Sequence, residues 1–129
     1  MPRVLVTGGR KHLLALEDEA WLLKVFAWYE SFGPEGFEII VGDASGVDQC
    51  VRELGHRHPE LPIRVYRADW KKHGKAAGPF RNLQMASYVS HDPHKACIAF
   101  PGGKGTASCV KACRKHEVPI LHPQPAPMG

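Results

Sequence analysis

Four times along the chain a short apolar run ends in a turn and gives way to a helical stretch, and this alternation limits the fold more than any other feature. The runs are Val4 to Val6, Phe37 to Val41, Ile63 to Tyr66 and Lys95 to Phe100. Leu13 to Phe32, Val47 to Arg57, Pro79 to Val89 and Ala107 to His116 read as helices. Val118 to Leu121 reads as a fifth strand, placed at an edge because it carries Pro119. Strands alternating with helices at this spacing must run parallel, joined by right-handed crossovers with helices on both faces. The expectation is an α/β fold: a Rossmann-like three-layer sandwich around a parallel five-stranded sheet, in the order 3-2-1-4-5. In that order strands 1 and 4 are neighbours whose chains leave in opposite directions, and the crevice between them is where such sheets bind ligands.

A chain of 129 residues suits one core, and residues 1–122 read as one domain. Residues 123–129, with three prolines, read as a loose tail. No apolar run approaches the roughly 18 residues needed to span a bilayer. The N-terminus enters a strand-like run without a signal-peptide pattern, so a cytoplasmic protein is expected. Cys50, Cys97, Cys109 and Cys113 form no Cys-x-x-Cys pair, and the eight histidines have no ligand spacing. Buried thiols are expected, with neither metal nor cofactor. The formal net charge of +4 favours an anionic partner.

The turns after strands 1 and 4 are the two that carry paired glycines, Thr7-Gly8-Gly9-Arg10 and Pro101-Gly102-Gly103-Lys104-Gly105-Thr106. Each precedes a helix, whose free N–H groups and partial positive charge suit phosphate. Arg10 and Lys104 add cationic donors, and Thr106 can cap the helix or donate to a phosphate. The second turn lacks the Lys-Ser/Thr pair that ends a nucleotide-hydrolysing P-loop. Gly42-Asp43-Ala44-Ser45-Gly46-Val47-Asp48 follows strand 2, where an acidic side chain can bind ribose hydroxyls or cap the helix. Asp69 ends strand 3 and can orient the basic loop from Lys71 to Gly78. Arg81 and Asn82 open the next helix as charged and amide donors toward the cleft.

Six segments, spread in order from residue 4 to about residue 121, carry a resemblance: Val6 to Arg10, Gly42 to Asp48, Ala68-Asp69-Trp70, Gly74 to Pro79, Arg81 to Met85 and Phe100 to Thr106. Together they resemble the SLOG superfamily, in its cpYpsA-related (YspA-like) branch. The resemblance implies a domain that binds nucleotides or nucleotide-derived signals. More distantly the chain is similar to the Lonely Guy phosphoribohydrolases, which cleave the N-glycosidic bond of nucleoside monophosphates. Their signature is Pro-Gly-Gly-x-Gly-Thr-x-x-Glu with an upstream arginine. Pro101 to Thr106 matches it, and Arg81 stands for the arginine, but Cys109 occupies the glutamate position. A thiol cannot stabilise an oxocarbenium-like transition state as a carboxylate does. Asp43 or Asp48 would have to supply that group if the reaction occurs.

The expected partner is therefore a nucleotide-type small molecule, bound by the turn residues named above and Ala44. N-glycosidic hydrolysis through Arg81 with Asp43 or Asp48 is the alternative. A single-stranded nucleic-acid module, as in the related DNA-processing protein DprA, is the third reading. The aromatic residues argue against it, because they fall mostly in the first helix or in strands and form no stacking platform. That helix has a second apolar stripe, Leu13, Leu16, Ala20, Leu23 and Ala27, beyond the face a sheet can cover. With Trp21, Phe26, Trp28, Tyr29 and Phe32 close together on the same helix, and Phe80, Leu83, Met85, Ala86, Tyr88 and Val89 on the helix from Pro79, the apolar surface predicts a homodimer or higher homo-oligomer.

Overall fold

The computed structural model describes residues 1–123, so the proline-rich tail from residue 124 onward lies outside the described residues. In chain order the elements are β1 (Arg3–Thr7), α1 (Leu16–Glu30), β2 (Glu38–Gly42), α2 (Val47–Arg57) and β3 (Ile63–Tyr66). Then come α3 (Trp70–His73), a 3-10 turn (Gly74–Ala76), α4 (Ala77–Ser90), β4 (Lys95–Ala99), α5 (Lys104–Lys115) and β5 (Ile120–Leu121). The five strands form one parallel sheet in the order β3-β2-β1-β4-β5, as the alternation predicts.

The side-chain alternation of the strands divides the core in two. Val4, Val6, Ile39, Val41 and Ile98 meet Leu22 and Phe26 of α1 and Val47, Val51 and Leu54 of α2 on one face. Leu5, Ile40 and Cys97 meet Met85, Ala86 and Val89 of α4 and Cys109, Ala112 and Cys113 of α5 on the other. Since β1 feeds α1 and β4 feeds α5, the chain leaves these adjacent strands toward opposite faces and opens a crevice between their carboxyl ends.

Element boundaries differ from the sequence reading for local reasons. α1 begins at Leu16, not Leu13, because Ala15 is extended and Asp18 accepts its backbone N–H at 2.9 Å. Leu13 and Leu16 are consequently exposed, whereas Leu23 of the second apolar stripe packs partly against the core. The segment read as a basic loop is helical over Trp70–His73, where Asp69 accepts Lys72 N–H at 3.1 Å. α4 starts two residues before Pro79, which falls in the first turn, where the missing N–H has no intrahelical acceptor to lose. α5 begins three residues early, at Lys104. β5 is confined to Ile120–Leu121, although Cys97 N–H already bonds Pro119 O at 2.8 Å.

Burial also trims the apolar surface expected to drive assembly. Phe26, Tyr29, Met85, Ala86 and Val89 turn into the core, whereas Trp28, Phe32, Phe80 and Leu83 stay exposed. Among the described residues no helix is long and apolar enough to cross a membrane.

Candidate ligand-binding cleft where the strand order reverses

A cleft of about 660 Å³ opens above the carboxyl ends of β1 and β4, within the size range of small-molecule sites. Its rim is made by three turns that lock onto one another. Gly9 N–H bonds Pro101 O at 2.9 Å, tying the turn after β1 to the turn after β4. Their backbones approach so closely that a Cβ on Gly9 would lie 3.0 Å from Gly102 Cα. The turn after β2 then sits on the first one: Val47 N–H bonds Gly9 O at 3.2 Å, and Ser45 Oγ donates to Arg10 O at 3.2 Å. Gly46 makes this possible with a φ of 72°, and a side chain there would overlap the Gly9 carbonyl. The turn glycines of β1 thus serve backbone packing. Gly103 and Gly105 differ, since nothing stands within 4 Å of where their Cβ atoms would be.

Below the rim lies a cluster of polar side chains. Arg81, buried on α4, donates Nη1 to Asp43 at 2.6 Å and Nε to Asn82 Oδ1 at 3.3 Å. Asp43 also accepts Ala68 N–H at 3.3 Å. Asn82 Nδ2 reaches Gly105 O at 3.4 Å and Ser108 Oγ at 3.3 Å. The pair Arg81-Asn82 therefore spans from the turn after β2 to the turn after β4. Asp48, in the first turn of α2, is 5% exposed and accepts Ala44 N–H at 3.2 Å. Burial pushes its carboxyl up to about 6, against the opposing pull of the Ala44 N–H and the Arg81 guanidinium. Thr106, 9% exposed at the start of α5, has no hydrogen-bond partner for Oγ1.

Of the residues singled out in the sequence, Thr7, Gly8, Gly9, Arg10, Ala44, Asp48, Arg81, Asn82 and the run Pro101 to Thr106 line this cleft. Gly42, Asp43, Ser45 and Asp69 do not. Gly42 gives room to the side chains of Asp48 and Arg81, Asp43 holds Arg81, Ser45 holds the Arg10 carbonyl, and Asp69 caps α3. The sequence reading missed Lys11, His12 and Met85, which also line it. Lys11 and His12 directly follow the first glycine turn, and that position was the signal that could have marked them. Cys109 is buried beneath the cleft and packs with Cys97 and Cys113. Hydrogen bonds from Cys113, Cys97 and Thr7 hold its thiol well below the usual range, while Cys97 is pushed up. Cys109 offers no carboxylate, and it is absent from the cleft wall.

The fold and this crevice define a doubly wound α/β domain of the kind that binds ligands at the reversal of strand order. No family model matches the chain. It is 32% identical over 128 residues to the Gene 61 protein of Mycobacterium phage D29, a match covering 95% of this chain and 96% of that protein. The chain belongs to the family of that phage protein. Among solved structures it is similar to the X-ray structure of TM1055, a structural genomics target, with a TM-score of 0.57 and 15% identity over 93% of this chain and 72% of the other. At that identity the likeness establishes a shared fold.

Proposed function

We propose that the chain binds a nucleotide or nucleotide-derived phosphoester, with the phosphate at the Gly102–Thr106 turn. The observation that carries this reading is the Thr106 hydroxyl, buried at a helix start with no partner beside two glycines that have open space above them. A buried hydroxyl left unpaired costs free energy, and an anion held by the α5 N-terminus would satisfy it. The cations Arg10, Lys11 and Lys104 on the same wall favour a negative ligand. The resemblance of the six turn segments to the cpYpsA-related SLOG branch supports the same class. The wall carries no Trp, Tyr or Phe, which weighs against single-stranded nucleic acid.

Gly103→Val tests the phosphate seat, because its Cβ meets no protein atom and the fold should persist. The wild type should gain thermal stability from nucleoside monophosphates, and the variant should gain none while melting at the same temperature. Equal gains in both would refute the assignment. N-glycosidic hydrolysis is the second reading, favoured by one observation: Asp48 and Arg81 share the cleft. With Arg81 committed to Asp43 and a thiol at position 109, we expect little free base from AMP, GMP, CMP or UMP. Chromatography of the reaction checks this, and sustained turnover would promote the second reading to the first.

A further inference from the structure

Four cations stand on the cleft wall, at Arg10, Lys11, Arg81 and Lys104, together with a single carboxylate, that of Asp48. A site serving phosphate alone has no use for that carboxylate. It repels anions, and burying it without an ion pair is costly. Among the described residues Asp48 forms no ion pair and takes one hydrogen bond, from Ala44 N–H to Oδ2. The two nearby guanidinium groups have other partners. Arg81 donates to Asp43 and Asn82, and Arg52 donates to Gly42 O at 2.9 Å and Ala44 O at 3.1 Å. The site thus holds a buried carboxylate with acceptor positions to spare, alongside a buried hydroxyl at Thr106 that lacks any partner.

Their placement orders the ligand. Thr106 lies on the β4 side of β1, and Asp48 lies on the β2 side. A ligand lying across β1 presents its phosphate to the first and the group next along its chain to the second. That group must bring hydrogen-bond donors and no negative charge, which excludes a second phosphate and suits sugar hydroxyls. We propose that Asp48 reads the sugar of the bound ligand by accepting hydrogen bonds from ribose hydroxyls, so that the site takes ribose 5-phosphates in preference to 2-deoxyribose 5-phosphates. This rests on the phosphate seat proposed above and adds the identity of the neighbouring group.

The proton state of Asp48 then enters recognition. It is faced by the Ala44 amide, by Arg81 from α4, by Cys109 from α5, and by Arg52 on its own helix. The ionised carboxyl offers more acceptor positions than the acid, so the preference for ribose should grow as pH rises through about 6.

The test is calorimetric titration of the purified protein with ribose 5-phosphate, 2-deoxyribose 5-phosphate and inorganic phosphate, at pH 7.5 and pH 5. At the higher pH the ribose compound should bind about tenfold tighter or more, the size of a lost hydrogen bond to a charged group. At the lower pH the gap should shrink. Asp48→Asn should remove the pH dependence of the preference and narrow it, with inorganic phosphate binding at least as tightly as to the wild type. Equal affinity of the wild type for both sugars, with phosphate still bound, overturns the role of Asp48 and leaves the phosphate seat standing. A full, pH-dependent preference in folded Asp48→Asn does the same. If none of the three probes binds, the phosphate seat falls and the inference falls with it.

Discussion

Both ends of the sheet gather charged side chains, and the two gatherings are finished differently. At the amino ends of the strands, Glu38 accepts Arg64 Nε at 3.0 Å and the Tyr88 hydroxyl, with Arg3 Nε at 3.8 Å. Arg3 lies over the Tyr88 ring at 3.8 Å and donates Nη1 to Tyr88 O at 2.6 Å. At the carboxyl ends, Arg81 and Asp43 are equally well paired, but Asp48 and Thr106 beside them are not. The first cluster ties β1, β2, β3 and α4 together around an ion-paired Glu38, though Arg3 Nε, 3.8 Å away, makes no hydrogen bond. The second is left short of partners where a cleft opens. Burial acts on both carboxylates, yet hydrogen bonds from Tyr88 and Arg64 prevail at Glu38 and hold it below the usual range, while at Asp48 burial prevails. An ion-paired carboxylate at one end and one without an ion pair beside a cleft at the other separate a structural cluster from a binding region.

Three substitutions sharpen or break that contrast. Arg81→Ala should have the largest effect, because it leaves Asp43 at the sheet end without its ion partner. The cost should be about 3 kcal/mol by urea unfolding, and a loss within error would show that the pair does not hold the cleft floor together. Asp48→Asn should stabilise. The Asp48 carboxyl is raised in the folded state, so its penalty is absent at low pH and develops as pH rises from about 4 through about 6. The variant should therefore gain on the order of 2 kcal/mol at pH 7.5 and almost nothing at pH 4. A variant less stable than the wild type at neutral pH would mean that Asp48 is satisfied after all. Glu38→Gln should have the smallest effect and the opposite sign. Its pKa is depressed on folding, so its contribution is present at neutral pH and fades in acid. Thermal melts at several pH values should show a neutral-pH loss of about 1 kcal/mol.

The sheet order and the turn positions were legible because hydrophobic period and glycine placement are local signals. β1, β2 and β4 are continuous apolar runs, as strands covered on both faces must be. The phosphate turn was legible for the same reason, since Gly102 to Thr106 announces itself at a helix start. What could not be read was partnership across the chain. Asp43 and Arg81 are 38 residues apart, and no local pattern says that the first carboxylate after β2 is consumed by α4. Asp48 was legible as a candidate from its turn, but only the packing of α2 against the sheet shows that it, and not Asp43, lines the cleft. The segment from Lys71 to Gly78 read as a loop from its lysines and glycines, and the Asp69 cap made part of it helical.

The interlocked turns also set which parts of the chain can change length among relatives. Adding a residue between Gly33 and Gly36 lengthens a turn where two glycines have nothing within 4 Å, and loop closure penalises such growth only logarithmically. An insertion between Gly8 and Arg10 has no such outlet. It would unseat Val47 N–H from Gly9 O and Pro101 O from Gly9 N–H together, moving the start of α2 and the approach to α5 at once. Family members should therefore drift freely in length at the α1–β2 connection and keep a fixed residue count through the first glycine turn.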